Sequence, residues 1–142
     1  MSGTTQSVIT KRTFDFSKLQ SGQTQEIPLC RAIDVTGAKQ IDLVVRVHSK
    51  TITSTGQIDV NVQGVSLTGE EPNTDFILYG AGGSITTLAT VSMTTSLTAP
   101  FLLVSSLSAP WGPMIRVLLK GTGATSATIQ AALSIDLIVY DN

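Results

Sequence analysis

A chain of 142 residues with 9 Lys+Arg against 10 Asp+Glu has a formal charge of -1, and only 13% of its residues are charged. That balance speaks against sequence-independent nucleic-acid binding, which leaves a basic excess, and against a coiled coil, which is rich in Glu, Lys, Arg and Ala. With 42% apolar residues at low net charge, intrinsic disorder is disfavoured too.

Twenty threonines and 15 serines make up about a quarter of the chain, and Thr, Val and Ile together number 44, so the sequence is strongly β-branched. From the N-terminus, MSGTTQSVITKRTFDF has no apolar stretch of signal-peptide type. Nor does any apolar run approach the roughly 18 residues of a membrane span. Synthesis in the cytoplasm, with either retention there or release by a route other than secretion, such as lysis, is the expectation. Residues 7–16 alternate, with Phe14 and Phe16 on one face, and Ser21-Gly22 closes this strand or extended arm. Glu26 to Cys30 contains Pro28, which lacks a ladder donor and so belongs at a sheet edge. After a short run from Ala32 to Thr36, residues 39–49 alternate most cleanly: Ile41, Leu43, Val45 and Val47 on one face, Asp42, Arg46 and His48 on the other. Residues 57–65 repeat the pattern with Ile58, Val60 and Val62, and the two runs read as an antiparallel pair around Thr55-Gly56.

A polar loop, Ser66 to Thr74, precedes strands at 75–79 and 85–93, which are separated by Gly80-Ala-Gly-Gly-Ser84. A compact apolar run at 98–105 leads into the loop Ser106-Leu-Ser-Ala-Pro-Trp-Gly-Pro113. Met114 to Lys120 and Thr128 to Asp141 are the closing strands; in the latter Ile129, Ala131, Leu133, Ile135, Leu137 and Val139 share one face. Turn residues recur every 8–12 positions and no capped helical period appears. The expected fold is therefore all-β, one β-sandwich or jelly-roll-like barrel of about 8–9 antiparallel strands. Residues 1–20 form an extended arm or first strand, and 21–142 the sandwich domain.

Reactive side chains are scarce. One histidine and one cysteine cannot assemble an ordinary zinc site within a chain, and no cofactor, metal or catalytic residue is assigned. His48 falls on the polar face; a Ser–His–Asp reading would draw on Asp59 from a neighbouring strand, but no serine lies in an activating motif. The acids Glu70, Glu71 and Asp75 match no EF-hand spacing and read as a solvated loop or an acidic protein contact. Gly80 to Gly83 lacks the Gly-Lys-[Ser/Thr] ending of a phosphate loop and reads as a hairpin turn. Lys11 and Arg12 with Phe14 and Phe16 suit an arm that docks on protein rather than on nucleic acid. Trp111, on a loop bounded by Pro110 and Pro113, is either an interface anchor or a plug at one end of the sandwich.

The arm Met1 to Gln20, the strands Ile41-Asp-Leu-Val-Val-Arg-Val47 and Met114-Ile-Arg-Val-Leu-Leu-Lys120, and the closing Leu133-Ser-Ile-Asp-Leu-Ile-Val-Tyr-Asp141 together resemble the capsid decoration, or cement, proteins of tailed bacteriophages. The resemblance implies a small β-protein bound to the exterior of a phage head, bridging neighbouring copies of the major capsid protein, with no enzymatic activity. Many identical weak contacts would then hold it by avidity. It implies contacts through Lys11, Arg12, Phe14 and Phe16, through the Glu70–Asp75 loop and through Trp111. Self-association would be two-fold, a homodimer before a trimer, with neither nucleic acid nor membrane as a partner. The alternative from another class is a carbohydrate- or receptor-binding sandwich of a viral fibre, using Trp111 and Tyr79.

Overall fold

The computed structural model describes residues 3–67, 76–79, 87–108, 111 and 113–141. Among them are ten strands and no helix: β1 (Gly3–Asp15), β2 (Thr24–Pro28), β3 (Ile33–Asp34), β4 (Gln40–Ile52), β5 (Gln57–Leu67), β6 (Phe76–Tyr79), β7 (Thr87–Met93), β8 (Phe101–Ser106), β9 (Met114–Thr122) and β10 (Ile129–Tyr140). All pairings are antiparallel. The first sheet has the order β1-β10-β4-β8. In the second, β2 and β3 share one side of β9, β5 lies on its other side, and β6 and β7 share the far side of β5. The architecture is an all-β, jelly-roll-like sandwich. It has one strand more than the upper expectation, the two-residue β3 being too short to count securely from sequence.

Alternation explains the core. Ile41, Leu43, Val45 and Val47 of β4 are fully buried, as are Leu133, Ile135 and Leu137 of β10, and they face Ile58, Val60, Val62, Ile115, Val117 and Leu119 of the second sheet. Each such side chain contributes about 1.5–3 kcal/mol through removal from water. Their spacing of two residues leaves Asp42, Arg46 and His48 on the opposite, wetter face.

The expected pairing of residues 39–49 with 57–65 is corrected: β4 pairs with β10 and β8, and β5 with β9, β6 and β7, so the two runs lie in opposite sheets. The connection between them is a corner. Gly56 N donates to Thr53 O at 3.2 Å, Ser54 adopts a left-handed φ of 56°, and Thr53 N is tied to Thr128 O. Alternation reveals which face of a strand is wet but carries no information about its neighbour, so a sharp corner and a hairpin look alike in sequence.

The sandwich is bridged at both sides. On one, Gly22 N donates to Gly123 O and Gly123 N to Gln23 O, joining the segment after β1 to the end of β9 in the second sheet. The Phe16 ring lies so close to Gly121 that a Cβ there would stand 2.3 Å from it. On the other side, Ser108 N donates to Leu88 O at 3.1 Å, linking the chain just after β8 to β7.

Candidate interaction surface

The outer face of the first sheet carries exposed apolar side chains, and the register assembles it row by row. Ser7 of β1, Asp136 of β10, Val44 of β4 and Val104 of β8 share one cross-strand row. The next contains Thr5, Ile138, Asp42 and Ser106; beyond Val104 on the other side lie Ser134, Arg46 and Leu102. Leu102 is 53% exposed, Val104 57% and Leu97, in the loop between β7 and β8, 61%. Large apolar groups this open, gathered on one strand and its adjoining loop, mark a contact surface more than scattered surface leucines do.

The polar groups around them are already paired. Ser106 Oγ donates to Asp42 Oδ1 at 2.6 Å, and Gln40 Nε2 donates to the same carboxylate at 3.2 Å. Lys50 clamps the loop before β8: its Nζ donates to Thr94 O at 2.5 Å and to Ser96 O, and it lies 5.7 Å from the centre of the Phe101 ring. Partial burial lowers the Lys50 pKa below the usual lysine value. Leu97 sits in this clamped loop with a left-handed φ of 63°.

His48 Nε2 and Ser134 Oγ are 2.7 Å apart, and Ser134 Oγ also accepts from Lys11 N at 2.8 Å. The Asp59 considered from sequence is not in a neighbouring strand: it lies on β5 in the other sheet, where it accepts from Ser92 Oγ and Gln57 Nε2. The serine and histidine instead tie down irregular backbone. Lys11 has φ 42° within a register shift of β1, and a second shift, in β10 against β4, falls between Ala132 and Leu133. No group of three or more His, Cys, Asp or Glu positioned for a metal occurs among the described residues.

Other titratable groups have local causes. Hydrogen bonds from the side chain and N–H of Ser17, and from Gln130, hold the Asp15 carboxyl below its ordinary value. Asp34 is lowered likewise by the backbone and side chain of Thr36. Burial pushes the half-buried Cys30 thiol up. An open cleft of about 370 Å³ at the corner after β1 is lined by Asp15, Phe16, Lys18, Leu19 and Gln25.

The contact residues expected from sequence scatter. Lys11 and Arg12 are exposed on β1, with the Arg12 guanidinium 5.0 Å from the Phe14 ring centre. Phe14 and Phe16 are core, 5% and 2% exposed, and so are removed from any docking surface; period-two spacing put them on one face without revealing that this face turns inward. Trp111 is half-buried and packs against the core, while Glu70, Glu71 and Asp75 fall outside the described residues. Leu97, Leu102 and Val104 were missed, although their signal was present: the run at 98–105 is apolar without alternating, which on a strand with one inner face must leave apolar side chains outside.

No family model matches the chain, and no curated protein does. Solved structures do. The chain superimposes on a protein in the crystal structure of the infectious bursal disease virus VP2 subviral particle, with a TM-score of 0.52 and 15% identity over 99% of its length. A chain in the structure of the Gx strain of the same virus gives a TM-score of 0.51, also at 15% identity, over 97%. The sandwich matches part of the fold of these viral chains. What is shared is the fold: the chain spans about a third of either neighbour, 33% and 31% of their lengths.

Proposed function

We propose that this chain is a structural, non-enzymatic protein of a virus particle, bound to the exterior of the head as a cement subunit across neighbouring major capsid proteins. The observation that carries the reading is the outer face of the first sheet, where Leu102 and Val104 stand open and the nearby Asp42 carboxylate is already hydrogen-bonded by Ser106 and Gln40. Such a face loses little on leaving water and suits close packing on another protein. The likeness in fold to chains of infectious bursal disease virus structures supports the same reading.

In this reading the face around Val44, Ile138, Leu102 and Val104 meets the lattice, with Lys11 and Arg12 at its far rim. Each contact is modest, and repetition over the lattice provides retention. The test is sedimentation of native source lysate on a sucrose gradient, with the protein detected by antibody. Migration with megadalton particles, in fixed ratio to one major protein, is the expected result. Recovery only at the top of the gradient overturns the proposal and turns the question to glycan binding.

A further inference from the structure

The ends of the two sheets differ in how they are protected. An edge strand shows a row of unpaired backbone N–H and C=O groups, and natural proteins blunt it with charge, proline, bulges or shortness. β1 carries Lys11, Arg12 and two register shifts; β2 carries Glu26 and Pro28; β3 has two residues; β7, though uncharged, is interrupted by a register shift at Leu88, whose carbonyl already accepts from Ser108 N. β8, Phe-Leu-Leu-Val-Ser-Ser, has no charge, no proline and no register shift along its pairing with β4.

Its hydrogen-bonding phase is fixed. Leu107 N donates to Ile41 O at 2.9 Å, and Ser106 stands opposite Asp42, so 107/41 is a hydrogen-bonded pair. Alternation assigns the same role to 105/43, 103/45 and 101/47, and turns the N–H and C=O of Leu102, Val104 and Ser106 away from β4. Ser108, next in that series, meets Leu88 O; the three before it have no backbone partner among the described residues. The side is open sterically as well: the inward-pointing Phe101 and Leu103 are only partly buried, whereas their counterparts on β4 are sealed completely.

We propose that β8 is the pairing edge of a homodimer, joined antiparallel to β8 of a second copy about a two-fold axis at Val104. In this register Val104 faces Val104 of the partner subunit, and Leu102 of each copy faces the partner's Ser106. All three outward backbone positions then meet outward positions. Charge is complementary in this arrangement: the cross-strand row that holds Arg46 and Leu102 continues into the row that holds the partner's Ser106 and the partner's Asp42, so opposite charges stand on the two sides of the seam. Dimerisation doubles the four-stranded first sheet, covers Phe101 and Leu103, and merges the two Leu102–Val104 patches into one face. The inference rests on edge geometry and not on the virion reading, so the two can fail separately.

The test uses the purified full chain. Sedimentation velocity over a concentration series should show a dimer. Val104→Lys sets two ammonium groups directly opposite each other, Cα atoms about 5.5 Å apart, and should weaken dimerisation more than about a hundredfold, with circular dichroism unchanged and the Tm unchanged at dilutions where both proteins are monomeric. In a Cys30→Ser background, Val104→Cys should be linked rapidly between subunits by a short bismaleimide, and Thr5→Cys on β1 should not. A protein monomeric throughout the series, a dimer unaffected by Val104→Lys, or linking at Thr5→Cys in place of Val104→Cys would each overturn the proposal.

Discussion

The two edges of the first sheet, β1 and β8, solve opposite problems. β1 is 13 residues long, bends through two register shifts, exposes Lys11 and Arg12, and then sends Phe14 and Phe16 into the core. β8 is 6 residues long, regular and uncharged, and turns its largest exposed side chains outward. Length on an edge is hazardous, since each added residue offers more backbone to a stray strand, and β1 offsets it with charge and irregularity. β8 is short and unblunted. The difference separates an edge built to hold the molecule together from one left able to pair.

That contrast breaks first, and with the largest effect, if β1 proves dispensable. Deleting residues 1–16 removes an edge strand and both core phenylalanines, so the truncated chain should fail to fold cooperatively, as read by circular dichroism and thermal melting. A folded truncation would return these residues to the status of a detachable arm. Phe16→Ala probes the same point more gently. It empties the site against Gly121 and should cost about 3–5 kcal/mol in denaturant unfolding. Filling the site from the other side, Gly121→Val should also destabilise, by about 1–3 kcal/mol, because its Cβ would meet the Phe16 ring at 2.3 Å and force it to shift.

How much of this was legible in the sequence follows from what periodicity can carry. Period two places Ile41, Leu43, Val45 and Val47 together, and composition excludes helical classes, so fold class and most of the core could be read directly. Partner choice could not. Whether Asp59 neighbours His48 depends on the corner at Thr53–Gly56, and a left-handed Ser54 leaves no clear mark in sequence. The inward seat of Phe16 depends on Gly121, more than a hundred residues away. Of the interaction surface, Leu102 and Val104 were visible as a run that fails to alternate, but only the position of β8 at a sheet edge gives that failure a meaning.

Smaller effects sharpen the account of β1. Ser134→Ala removes the acceptor for Lys11 N and the partner of His48 at the bulge, and should cost about 0.5–1.5 kcal/mol. Loss of amide-exchange protection confined to residues 9–12 and 132–135 would locate the damage at the bulge. Further along, Asp15 caps the turn after β1 with its carboxyl held below the usual 3.8. A depressed folded-state pKa contributes stability that is complete above the unfolded value and is lost as pH falls through the folded one. Asp15→Asn should therefore flatten the acid limb of the stability curve below about pH 4. Its effect at neutral pH should stay under about 1 kcal/mol, since solvent screens so exposed a group.

The smallest expected effect bears most directly on the comparison. Lysine at Leu102 or Val104 introduces charge where each side chain is already more than half open, so monomer stability should move by no more than about 0.5 kcal/mol. The same lysine at Ile9 of β1, which is 9% exposed and belongs to the core, should cost several times as much. If Val104→Lys destabilises the isolated monomer as strongly as Ile9→Lys, then β8 is held by packing on its outer side and is no free edge. If it leaves the monomer intact while abolishing self-association, the outward apolar residues of β8 contribute nothing to folding. Their retention on the most vulnerable strand of the sheet is then explained by the contact they make with another molecule.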